Sequence, residues 1–124
     1  MRQSMTRPVA SLGFWLLLLN GATPAEAHAV LLKSFPVAAA VVTTRSTPVS
    51  LTFNSRIDGR RSRLTLLGPG SSELPLALEP QTSPNELTST LRDLKAGAYR
   101  IRWQVLAVDG HITRGEVSFR VELN

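Results

Sequence analysis

From residue 49 onward, apolar and polar positions alternate with a period of two along most of the chain. Val49, Leu51 and Phe53 interleave with Ser50, Thr52 and Asn54; Leu64 and Leu66 flank Thr65; Leu74, Leu76 and Leu78 surround Pro75 and Ala77. Successive side chains of an extended chain point to opposite faces, so each stretch predicts a short, half-buried strand. The two strongest signals lie near the end. Tyr99, Ile101, Trp103 and Val105 oppose Arg100, Arg102 and Gln104, and Val117, Phe119 and Val121 oppose Glu116, Ser118, Arg120 and Glu122. Turn residues punctuate the pattern at Asp58-Gly59, Gly68-Pro69-Gly70, Pro80 to Pro84, Lys95-Ala96-Gly97 and Asp109-Gly110. With Val30 to Lys33 and Leu87 to Leu91 the count is about seven strands. That spacing predicts an all-β, antiparallel sandwich of the immunoglobulin-like type, with a small closed barrel as the alternative. Ala38-Ala39-Ala40 is too short for an independent helix and reads as a turn of loop.

The first 27 residues follow a different pattern. Arg2 and Arg7 precede an apolar stretch from Leu12 to Leu19, and Ala25-Glu26-Ala27 offers small residues where a signal peptidase reads them. Residues 1–27 are therefore expected to be a secretory signal peptide cleaved after Ala27, leaving 28–124 as one exported domain. The apolar stretch is far shorter than the roughly 20 residues that span a bilayer. Cleavage removes both methionines, Met1 and Met5, and leaves 12 basic against 8 acidic side chains.

Composition narrows the chemistry. The 124-residue chain has no Cys, which excludes a disulfide framework, a thiolate zinc site and a cysteine nucleophile. No basic run exceeds Arg60-Arg61, so the sequence carries no nucleic-acid-binding stripe. Arg100, Arg102, Arg114 and Arg120 are either guides for an acidic partner or ordinary residues of an exposed strand face. Trp103 and Tyr99 sit on the apolar face and read as core aromatics.

Two histidines remain as candidate donors. Cleavage after Ala27 makes His28 the first residue, so its imidazole and a free α-amine form a chelate suited to the tetragonal nitrogen and oxygen preference of Cu(II). His111 lies 83 residues later in Val108-Asp109-Gly110-His111. Residues two apart in a turn or extended segment can share a side, and Gly110 permits tight folding between Asp109 and His111. The same Asp-Gly pair is also a common hairpin turn. Both readings stand at this stage.

The chain resembles the CopC family of periplasmic copper-resistance proteins. The likeness rests on His28-Ala29-Val30-Leu31, Ser34-x-Pro36, Leu51-Thr52-Phe53, and a block from Gly97 through Tyr99, Ile101, Trp103, Val105, Asp109-Gly110-His111 and Gly115 to Phe119 and Val121. It extends over essentially all of residues 28–124, although residues 55–95 match in pattern alone. The resemblance implies a Greek-key β-sandwich that binds one Cu(II) ion through His28, Asp109 and His111. It also implies a monomer in the periplasm, with an inner-membrane copper transporter of the CopD type as partner. Two departures stand out. The domain lacks the methionines that a Cu(I) loop requires, and Asn54-Ser55-Arg56 supplies no carboxylate where some members have one.

Divalent affinity peaks at Cu(II) in the first-row series, and a chelating amine flattens the geometry away from the tetrahedron zinc favours. The expected role is sequestration of Cu(II) or its transfer to a partner, without enzymatic turnover. Two other readings are a metal-free immunoglobulin-like interaction module and a histidine-brace copper oxygenase, the former because this fold hosts many unrelated functions.

Overall fold

The computed structural model describes residues 28–124, together with Gln3; the expected leader lies outside the described residues. Among the described residues, eight strands form two sheets: β1 (Leu31–Phe35), β2 (Ala40–Val42), β3 (Thr47–Phe53), β4 (Arg63–Leu67), β5 (Glu73–Leu76), β6 (Glu86–Leu91), β7 (Gly97–Leu106) and β8 (Ile112–Val121). One sheet has the order β1-β3-β6 and the other β2-β8-β7-β4-β5. All pairings are antiparallel except β2 with β8. The sandwich is immunoglobulin-like, as the alternation predicts, and the closed-barrel alternative falls.

The inward residues of both sheets make one core. Val49, Leu51 and Phe53 of β3 and Leu87 and Leu91 of β6 meet Leu64, Leu66, Ile101, Trp103, Val105, Val117, Phe119 and Val121 from the other sheet. Phe53 and Trp103 close the gap between the sheets edge to face, their ring centroids 5.2 Å apart. Tyr99 stacks on Phe119 at 5.4 Å, and its hydroxyl donates to the Lys95 carbonyl while accepting the Lys95 N–H. Both aromatics are core residues, as expected.

The elements depart from the expected pattern in three places. Ala38 and Ala39 form the expected turn, but Ala40 already opens strand β2: Ala39, at φ 65°, turns the chain so that its N–H reaches the Ser118 carbonyl, and β2 then runs parallel to β8. Strand β5 ends at Leu76, and residues 77–79 leave it to cover the edge of β6, where the Glu79 N–H meets the Thr88 carbonyl and Ser89 Oγ donates to the Ala77 carbonyl. Strand β8 begins at Ile112, four residues before the alternation becomes visible. Pairing between β7 and β8 is unbroken from Gly97 opposite Val121 to Leu106 opposite Ile112. This hairpin delivers residues 107–111 to one end of the sandwich.

Candidate metal centre

The turn between β7 and β8 is built by its own sequence. Ala107 accepts the Gly110 N–H through its carbonyl at 2.9 Å and donates its N–H to the His111 carbonyl, also at 2.9 Å. Gly110 adopts φ 91°, a conformation that costs glycine little and disfavours other residues. Asp109 Oδ1 accepts the backbone N–H of His111 at 3.0 Å, an Asx turn that fixes the residue two positions on. Its Oδ2 lies 2.9 Å from His111 Nδ1. An ionised carboxylate can only accept, so Nδ1 carries the proton and Nε2 is the nitrogen left to face an ion. The hairpin reading and the convergence of Asp109 with His111 are thus the same structure.

These contacts also set the electrostatics of Asp109. The His111 backbone N–H, followed by the hydrogen bond to the His111 ring, holds its carboxyl below the usual carboxylate value, and the charges of His111 and His28 act in the same direction.

His28 reaches this turn from the opposite sheet. Ala29, buried to 1% exposure, anchors the entry to β1, and Leu31 then pairs with Phe53. The rings of His28 and His111 meet edge to face with centroids 5.3 Å apart. All three predicted residues therefore gather at one end of the fold. They do not yet form a ready-made cage: among the described residues, no three His, Asp or Glu side chains are already arranged to hold an ion, and both Asp109 oxygens are occupied by His111.

The four arginines offered as a partner guide are largely ordinary strand-face residues. Arg100 and Arg102 pair with Glu116 at 2.9 and 3.4 Å, Arg102 also approaches Glu73 at 3.8 Å, and Arg120 lies 4.0 Å from Glu122. The Arg100 hydrogen bond holds the Glu116 carboxyl below its usual value. Arg114 donates to Gln104 Oε1 at 2.8 Å.

A family model, the CopC domain, matches residues 31–122. The chain belongs to the CopC family. Among related sequences, copper resistance protein C of Xanthomonas campestris pv. juglandis is 29% identical over 107 residues, covering 79% of this chain and 83% of the relative. Protein YobA of Escherichia coli K12 is 31% identical over 124 residues, covering 95% of this chain and 100% of the relative. Among solved structures, CopC from Methylosinus trichosporium OB3b aligns with TM-score 0.71 and 27% identity over 78% of this chain and 96% of that one. The methionine-rich copper resistance protein PcoC of Escherichia coli aligns with TM-score 0.59 and 30% identity over 77% and 100%. This CopC-family chain shares that fold without the methionine richness, since both its methionines lie in residues 1–27.

Asn54 was legible in the sequence as a missing carboxylate, not as a contributor. In the structure its side chain contacts the segment that carries His28: Asn54 Oδ1 accepts the Val30 N–H at 2.7 Å.

Proposed function

We propose that residues 1–27 are a cleaved leader and that the exported domain 28–124 is a periplasmic Cu(II)-binding protein of copper resistance. It takes up one ion per chain and sequesters it or passes it to a partner such as an inner-membrane transporter of the CopD type, without catalysing a reaction. The observation that carries this reading is the approach of His28 and His111, 83 residues apart in the chain, to a ring separation of 5.3 Å beside Asp109.

The donor set fits copper. Two imidazoles, the α-amine that cleavage exposes on His28 and the Asp109 carboxylate supply three nitrogens and one oxygen, with no thiolate or thioether in the domain to favour Cu(I). Asp109 holds Nδ1 of His111 and so presents Nε2, a carboxylate–histidine arrangement that orients a ligand ring and raises its basicity. To coordinate an ion directly, the carboxylate would give up its hydrogen bond to the His111 ring.

The test is a Cu(II) titration of the protein beginning at His28, beside a version bearing one extra N-terminal residue. One-to-one binding that weakens strongly when the amine is displaced, and that is lost in His28→Ala and His111→Ala, supports the reading. Binding indifferent to all three changes overturns it and favours a metal-free interaction module.

A further inference from the structure

Residues 54–57 run across the end of the sandwich between the two halves of the candidate centre. On one side, Asn54 grips Val30 twice: its Oδ1 accepts the Val30 N–H at 2.7 Å, and its own N–H donates to the Val30 carbonyl at 3.0 Å. On the other side, the Arg56 carbonyl accepts the Val108 N–H at 3.2 Å, and Ile57 forms an antiparallel bridge with Ala107. Val30 is two residues from His28, and Val108 is next to Asp109. One four-residue strap thus joins the segment that leads from His28 into β1 to the turn that carries His111.

The pairing between β1 and β3 does not hold this end by itself. Its register shifts between Leu31 and Lys33, so the ladder is irregular just where the chain leaves toward His28. Beyond Leu31, Asn54 replaces the ladder. Its backbone bond does not involve the side chain, whereas the Oδ1 bond belongs to the side chain alone.

We infer that Asn54 is a positioning residue: through Val30 its side chain sets where His28 stands relative to His111, and so tunes the affinity and coordination geometry of the metal centre. This inference rests on the copper-binding reading above and adds to it a residue that touches no ion. Asp at position 54 keeps the acceptor oxygen; Ala removes it.

The experiment uses protein processed by the producing cell, with the N-terminus defined by mass spectrometry, in four forms: wild type, Asn54→Ala, Asn54→Asp and Ser50→Ala. The last deletes a side-chain hydrogen bond to Glu86 on the same sheet, away from the histidines. The readouts are Cu(II) affinity by chelator competition, the electron paramagnetic resonance spectrum of the bound ion, and exchange of the Val30 amide in the metal-free protein. The expected result for Asn54→Ala is faster Val30 exchange, an altered copper spectrum and an affinity about fivefold weaker, the scale of one neutral hydrogen bond. Asn54→Asp, which keeps the acceptor oxygen, restores slow Val30 exchange, and Ser50→Ala leaves the spectrum and affinity at the wild-type values. If wild type binds copper and Asn54→Ala binds it with the same affinity and spectrum, the positioning role is overturned while the copper reading stands. If wild type itself binds no copper, the copper reading falls, and the positioning role falls with it.

Discussion

Gly115 lies against the indole of Trp103, its partner across β7 and β8, so closely that a methyl group at position 115 would stand 2.6 Å from Cε2. Trp103 is buried and stacks edge to face on Phe53 of the opposite sheet, so its ring has little room to retreat. Gly115→Ala is expected to destabilise the fold by about 1–3 kcal/mol through overpacking, measured by denaturant unfolding. A midpoint equal to wild type would show that the indole moves freely.

Ser62 supports the same hairpin from the other side. Its buried hydroxyl donates to the Asp58 carbonyl at 2.6 Å and accepts the Leu106 N–H at 3.2 Å, beyond the last paired residues of β4 and β7. Ser62→Ala leaves both backbone groups without that partner and is expected to cost about 1–3 kcal/mol. Unfolding in urea measures the loss, and faster exchange of the Leu106 amide locates it. A neutral substitution with unchanged exchange would mean that the two groups find other partners.

Asp109→Asn retains an oxygen that can close the turn but removes the charge that holds the protonated Nδ1 of His111. Supporting partners of metal-binding histidines are typically worth 10–100-fold in affinity. Cu(II) affinity is therefore expected to fall by about 10–100-fold, with little change in thermal stability because the pair is exposed. Chelator competition checks this, and an unchanged affinity would remove Asp109 from the centre.

Because the His111 backbone N–H and ring stabilise the ionised carboxylate, the folded protein releases the Asp109 proton more readily than the unfolded chain. The associated stabilisation is present above the ordinary carboxylate value of about 3.9 and disappears as pH falls through the lower, folded-state value. Carbon-13 NMR of the Asp109 carboxyl should show a midpoint below that of an unfolded peptide containing Asp109-Gly110-His111. A midpoint at or above the peptide's would contradict the turn geometry.

The sequence made most of the sandwich legible because its strongest strands are buried on one face. Every second residue from Tyr99 to Val105 and from Val117 to Val121 enters the core. The first half of β8 escaped that logic for a physical reason: its inward positions are Thr113 and Gly115, and the indole of Trp103 occupies the space over Gly115. Strand β2 was hidden because three residues with no alternation join a sheet edge in parallel, through a backbone reversal at Ala39. Asp109 and His111 were readable because an Asx turn is local, and their approach to His28 was implied by family likeness. Asn54 could not be read in the same way, since its partner depends on the register of β1 against β3.

His28 enters from the three-stranded sheet and His111 from the five-stranded one. An ion held by both would be a removable staple between the two layers of a protein that has no cysteine to form a permanent one. Like a disulfide that closes a long loop, it would act against the unfolded chain as much as on the native contacts. Loading the protein would thus make it harder to unfold, and handing the ion on would return the same chain to its unstapled state.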